Sequence, residues 1–247
     1  MTRIPGAVIL RESEPLLRTL AAATAVGILL GAVIGGLGSR LAMRLLFLTS
    51  DPAMQGVLTD DGFPIGEITF AGTANLILSV TGFGVIGAFV YLAVRRFLIG
   101  PQWLRLLGCG LAAGVVVGAG LVHADGVDFT RLGPAWLAIA LFVATPTLYG
   151  FVAPLAIEWA DRPGGWFRTA PAPLALLPLL VFLFPPLFVL LIVPTLVVVV
   201  AGRLITRSPS LAGFARHWAT MWIARVGWLG IVGLGLFDLT RDALVLL

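Results

Sequence analysis

LRTLAAATAVGILLGAVIGGLGSRLAMRLLF, residues 17–47, holds three arginines and no acid in an otherwise apolar run. A helix needs roughly twenty apolar residues to cross a ~30 Å hydrocarbon layer. This stretch is longer than that, so its far end must tilt or project beyond the lipid. It does not read as a cleaved signal peptide. The apolar core is too long for an h-region, no small-x-small site leads into a polar mature sequence, and Arg40 and Arg44 continue in helical register.

The same pattern repeats along the chain. Apolar runs at Gly72–Val94, Leu104–Val122 and Pro134–Ile157 alternate with short polar breaks. Of 247 residues, 59% are hydrophobic and 11% charged, and the mean hydropathy is +1.05. Such a chain lacks the polar surface that water demands, so lipid is its solvent. The expected fold is an all-α, polytopic transmembrane helix bundle forming one integral membrane domain over residues 1–247.

Residues 173–203 are too long for one ordinary span and short for two, and they contain Pro173, Pro178, Pro185, Pro186 and Pro194. Proline removes a backbone donor and clashes with the preceding turn, so Phe184-Pro185-Pro186 predicts a kink or a reversal. Arginine placement favours a hairpin or re-entrant segment. With it, Arg3, Arg11, Arg18, Arg95, Arg96, Arg105, Arg162, Arg168, Arg203, Arg207 and Arg216 fall on one side. Arg40, Arg44, Arg131 and Arg241 fall on the other, with Asp51, Asp60, Asp61, Glu67, Asp125, Asp128, Asp238 and Asp242. The positive-inside rule then puts the N-terminus in the cytoplasm. The total comes to about seven spans, the last over 217–237, followed by a short external tail.

All sixteen basic residues are arginine. This points to a GC-rich bacterial genome and the bacterial cytoplasmic (inner) membrane, and it removes lysine-dependent chemistry, the P-loop included. The arginines are scattered through loops rather than gathered on one polar face, so nucleic acid is not an expected partner. The single cysteine, Cys109, excludes an intrachain disulfide and a multi-cysteine metal site.

Gly27, Gly31 and Gly35 recur every fourth residue on the first helix, and Gly110, Gly114 and Gly118 do so on the third. Each row offers a groove where another backbone can approach, within the fold or between subunits of a homo- or hetero-oligomer. The spacing also suggests a tandem repeat of two helical hairpins over 16–160. Gly87 with Leu92-Ala93-Val94 aligns with Gly150 and Leu155-Ala156-Ile157 after a one-residue shift.

Most motifs of catalysis fail on context. Gly82-Phe83-Gly84-Val85-Ile86-Gly87 matches a dinucleotide fingerprint, but lies mid-span without the strand and helix N-terminus that the mechanism needs. His123 and His217 fall at opposite membrane faces, which excludes a bis-histidine haem. His217, beside Trp218 and Trp222, reads as an interfacial anchor. The Thr59–Glu67 loop breaks the EF-hand register, because Glu67 follows Gly62 by five positions rather than six. No cofactor and no metal is expected.

One polar group remains. Arg40 and Arg44 lie one turn apart on a shared face and precede an acidic loop with Asp60, Asp61 and Glu67. Charge at bilayer depth is unfavourable by about 2.5–3.5 kcal/mol on insertion scales, so these arginines must pair, bind an anion or snorkel. Two arrangements satisfy them. The loop folds back and neutralises them, the simpler case, or they grip a lipid phosphate or a carboxylate in an outward pocket that also draws on His123, Asp125 and Asp128. Arg225, eight residues into the last run, is expected to snorkel inward or pair with Glu158 or Asp161.

Three functions follow in order of expectation. The first is a non-enzymatic membrane subunit or scaffold packing through glycine faces, with lipid as its constant partner. The second is a small-solute or lipid transporter, which needs polar groups at depth and finds chiefly Asn75, Thr81 and Thr145. The third is an intramembrane enzyme acting on outer-leaflet lipid through the Arg40 group.

Overall fold

The computed structural model describes residues 5–58, 65–67, 69–183 and 218–247. It is all-α, with four helices long and apolar enough to cross a membrane: Glu14–Thr49, Phe70–Val94, Gln102–Leu121 and Ala135–Ala160. The first is composite, made of α1 (Pro5–Leu30), a π-helical segment (Gly31–Leu37) and α2 (Gly38–Thr49). The others are α3 (Phe70–Val94), α4 (Gln102–Leu121) and, after the single turn α5 (Val127–Thr130), α6 (Ala135–Ala160). Two short turns, α7 (Trp166–Thr169) and α8 (Ala172–Ala175), lead into a 3-10 segment, Leu177–Leu183. The chain closes with α9 (Trp218–Leu246). Of the expected hairpin over 173–203, residues 184–203 lie outside the described residues, as does His217.

The starts of these helices follow local chemistry. Thr69 accepts a hydrogen bond from the Gly72 amide at 3.1 Å and so caps α3. Proline occupies the caps of α4 and α6, at Pro101 and Pro134, where its missing donor would have no intrahelical partner. Pro178 falls inside the 3-10 segment, while the break expected at Phe184-Pro185-Pro186 lies outside the described residues.

The helices run antiparallel and divide the bundle into two ends. At the arginine end lie Arg18, Arg95, Arg96, Arg105, Arg162 and Arg168. At the acidic end lie Arg40, Arg44, Asp51, Glu67, Asp125 and Asp128. Each end has an apolar cluster. Near the arginine end Leu20, Val26, Val85, Phe89, Leu92 and Ile157 are buried together, and Phe182 stacks on Phe89 with ring centroids 6.0 Å apart. At the acidic end Leu46, Ile65, Val122, Phe129, Leu132 and Ala138 pack together, with Leu239 and Leu246 of α9 against them.

Glycine lets the helices of each hairpin touch backbone to backbone. A Cβ on Gly27 would stand 2.7 Å from the Cα of Val85, one on Gly31 would stand 2.9 Å from the Cα of Thr81, and one on Gly35 would press on the Val80 side chain. In the second hairpin Gly110 faces the Phe151 ring, Gly114 faces Thr147, and Gly118 faces Val143. From the opposite helix, a Cβ on Gly150 would stand 2.7 Å from the Cys109 carbonyl and 3.0 Å from the Cα of Gly110. All these contacts lie within the chain. Lipid competes for leucine surface as well as another helix does, so this closeness supplies much of the association.

A partly buried hydrogen bond joins the two hairpins. The Tyr149 hydroxyl of α6 donates to the Gly84 carbonyl of α3, and its ring fills the space that a side chain at Gly87 would take. Tyr149→Phe keeps the ring and removes the bond. It should lower stability by about 0.6 kcal/mol, the average measured for intramembrane side-chain hydrogen bonds, and by no more than about 1.7 kcal/mol. Reversible unfolding in mixed micelles checks this, and an unchanged midpoint would refute it.

The last helix differs from its expected span. α9 continues past Phe237 to Leu246, so the stretch expected to be a tail is helical. Arg241 is 3.8 Å from Asp238 and 3.1 Å from Asp242, and Leu239 and Leu246 have an apolar cluster to pack on. At the other end the Arg225 Nε donates to the Phe97 carbonyl at 3.1 Å. α9 therefore runs the full height of the bundle, from arginine end to acidic end.

Candidate functional site

Arg40 and Arg44 do share α2, but the helix sets them differently. Arg40 is half-buried, with its Nε enclosed and without a hydrogen-bond partner. Arg44 is exposed, its guanidinium carbon 5.4 Å from the centroid of the Phe47 ring. Phe47 in turn lies under Gly66, where a Cβ would meet the ring at 2.5 Å and the backbone φ is +82°, so only glycine fits without strain. The described part of the acidic loop is pinned by amide bonds, Gly56 to the Ile65 carbonyl at 3.0 Å and Ile65 to the Val57 carbonyl at 2.7 Å. The buried Ile65 side chain anchors it to the acidic-end cluster.

The second loop docks on the same cluster through Phe129 and Leu132, and the Gly133 amide donates to the Ser50 hydroxyl at 3.1 Å. Among the described residues the two loops meet through apolar contacts and one hydroxyl. Glu67, His123 and Asp125 are exposed, and Asp128 is half-buried. Asp60 and Asp61 lie outside the described residues. Among the described residues no carboxylate pairs with Arg40 or Arg44, and no three His, Cys, Asp or Glu side chains gather as a metal site would require.

The denser polar chemistry is at the arginine end. Arg18, 12% exposed, pairs with Glu14 at 2.8 Å and donates to the carbonyls of Phe167 and Ala170 at 2.7 and 2.9 Å. Arg168 pairs with Asp161 at 2.6 Å, donates to the Thr19 hydroxyl at 2.8 Å and to the Pro15 carbonyl at 3.1 Å. Thr19 lies 3.2 Å from both oxygens of Asp161. Two guanidiniums therefore clamp the turn after α6 onto the start of the first span, with their donors and the Asp161 carboxylate well used.

Beside this clamp, Glu158 accepts the Tyr91 hydroxyl. Both line a cleft between α3, α4 and α6 that also holds Gln102, Arg105 and Cys109. The Nε of Arg105 is enclosed and without a partner. Of the two arrangements expected for Arg225, snorkelling inward or pairing with Glu158 or Asp161, the ion pair is not formed. Arg225 bonds the Phe97 carbonyl and stacks with its guanidinium carbon 5.2 Å from the Trp222 ring centroid, which satisfies its charge on α9 itself and the adjoining turn.

Little of this end is legible from residue spacing. Glu14 and Arg18 at i, i+4 were a legible pair. Tyr91, Thr19 and Gln102 leave an apolar run apolar, and their partners lie far along the chain. Comparison with family models, with curated proteins and with solved structures found no match.

Proposed function

We propose that this chain is a non-enzymatic subunit or scaffold of a membrane assembly, presenting α9 to the transmembrane helix of a partner chain. The observation that supports it is a contrast between glycines. Those named within the two hairpins are filled by neighbouring helices, whereas a Cβ on Gly227, Gly230 or Gly233 of α9 would meet nothing within 4 Å among the described residues. Around them Trp222, Ile223, Val226, Leu229 and Leu234 are exposed. In a bilayer, small residues on an open face allow the close backbone approach that drives helix association.

Transport finds less support in the placement of its polar groups. Asn75 is exposed. Thr81 is buried against Gly31, and the Thr145 hydroxyl donates to the Leu141 carbonyl of its own helix. The enzymatic reading rests on Asp60 and Asp61, outside the described residues, and on an exposed Glu67.

Native mass spectrometry of the chain extracted in mild detergent tests the subunit reading. A stoichiometric second polypeptide is expected, and Gly230→Leu should remove it while leaving the thermal midpoint of the chain unchanged. A monodisperse lone chain, or a complex indifferent to Gly230→Leu, would overturn the reading.

A further inference from the structure

The arginine end carries positive charge on its surface. Its carboxylates are engaged, since Glu14 pairs with Arg18, Asp161 pairs with Arg168, and Glu158 accepts the Tyr91 hydroxyl. Arg95, Arg96 and Arg162 are exposed, and among the described residues none of the three pairs with a carboxylate. The opposite end has the reverse balance. There, among the described residues, acids outnumber arginines, and Glu67 and Asp125 are exposed.

Two features set the height of these arginines relative to lipid. α6 has an exposed tryptophan near each end, Trp136 and Trp159, about 34 Å apart at the rise of an α-helix, so each falls at one boundary of a ~30 Å hydrocarbon layer. The hydrogen bond from Tyr91 to Glu158 holds α3 and α6 level, and Arg95 and Arg162 each follow it by four residues. Arg162, just past Trp159, therefore shares the phosphate layer with Arg95 and Arg96. The guanidinium carbon of Arg162 lies 4.8 Å from the Trp159 ring centroid, and that of Arg96 lies 5.8 Å from the Phe97 centroid. Stacking of this kind uses the face of the guanidinium and leaves its N–H edge for an oxyanion.

We infer that the arginine end docks on an anionic lipid leaflet, with Arg95, Arg96 and Arg162 binding the phosphates of lipids that carry net negative charge. A zwitterionic headgroup brings an ammonium with its phosphate, and the carboxylates that could receive it here already hold Arg18, Arg168 and Tyr91. A glycerol headgroup brings the phosphate without the cation, so its attraction to three arginines is not cancelled. The assignment is independent of whether α9 has a partner.

The test titrates delipidated full-length chain in mild detergent with dioleoyl phosphatidylglycerol and dioleoyl phosphatidylcholine, counting bound lipid by native mass spectrometry. The two share a phosphate and acyl chains and differ in net charge. The glycerol lipid should be retained about fivefold over the choline lipid, the factor for one arginine at an anionic surface, and added salt should narrow the ratio. The triple variant Arg95→Gln, Arg96→Gln, Arg162→Gln should bring the glycerol lipid down to the choline level with the thermal midpoint unchanged. Arg44→Gln with Arg131→Gln, at the acidic end, should keep the preference. Equal retention of the two lipids by the unmodified chain would overturn the assignment without recourse to any variant, and so would a preference that survives the triple variant. Loss of the preference in the acidic-end variant would overturn the choice of leaflet. Displacement of the glycerol lipid by inorganic phosphate, beyond that caused by chloride at equal ionic strength, would overturn the lipid source in favour of a soluble anion.

Discussion

Gly84→Val should pull the first hairpin apart. On α3, Gly84 lies against the Gly27 carbonyl, and a Cβ there would stand 2.7 Å from the Cα of Gly31. Both obstacles are backbone, so no flexible side chain can swing away, and the helices must separate along the whole contact. Overpacking a rigid site typically destabilises by 1–3 kcal/mol, and this geometry belongs at the upper end, about 3 kcal/mol. The gain in helix propensity on replacing glycine, at most about 1 kcal/mol, is too small to offset it. Cys109, the chain's one cysteine, is half-buried and reports opening when a thiol-reactive fluorophore is present during a thermal ramp. The midpoint should fall well below that of the parent. Gly108→Val, at a position with nothing within 4 Å of the added carbon, should leave it nearly unchanged. Equal midpoints for Gly84→Val and the parent would show that the hairpin is held by something other than backbone proximity.

Asp161→Ala should release the turn after α6. Its carboxylate is 11% exposed and the partner Arg168 is 29% exposed, so the pair is neither fully buried nor freely solvated. Removing one member of a buried pair is destabilising by about 3–5 kcal/mol, and the exposure of Arg168 reduces this to about 2 kcal/mol. What remains is a guanidinium facing the carbonyls of Pro15 and Asp161 and the Thr19 hydroxyl, all neutral. The readout is twofold, a lower unfolding midpoint and faster tryptic cleavage after Arg168. Arg168→Ala should have a similar effect, and the double variant should be less than additive because the two share one interaction. Additive losses would mean that the two residues act separately.

Both sites bear on what a sequence can disclose about a chain of this kind. The four long spans were legible because a crossing needs an uninterrupted apolar run, and the breaks between runs here are short and charged. Their boundaries came within about three residues, as at Gly72–Val94 against Phe70–Val94 and Pro134–Ile157 against Ala135–Ala160. The extension of α9 past Phe237 was hidden because Asp238, Arg241 and Asp242 resemble a solvated tail until their mutual pairing is seen. The π-helical segment was hidden too, since glycine content alone does not distinguish a wide turn from a regular one.

Arg40 and Arg44 stand out in the sequence because charge inside an apolar run is conspicuous. The clamp at the arginine end escaped because its members are separated by most of the chain, Thr19 from Asp161 by 142 residues and Arg18 from Ala170 by 152. Tyr91 and Glu158, 67 residues apart, meet only because α3 and α6 are neighbours, and no spacing rule for one helix would join them.

The cluster that unites Leu46, Ile65, Val122, Phe129 and Leu132 is built partly from loop residues beyond the ends of α2 and α4, where water is the competing solvent. The cohesion of that cap therefore comes from dehydrating apolar surface, whereas the middle of the bundle coheres chiefly through atomic contact, with the Tyr149 hydrogen bond added. One polypeptide is thus held shut by two unlike forces in series. Urea acts chiefly on the cap, a strong ionic surfactant chiefly on the waist, and neither alone measures how firmly the whole is closed.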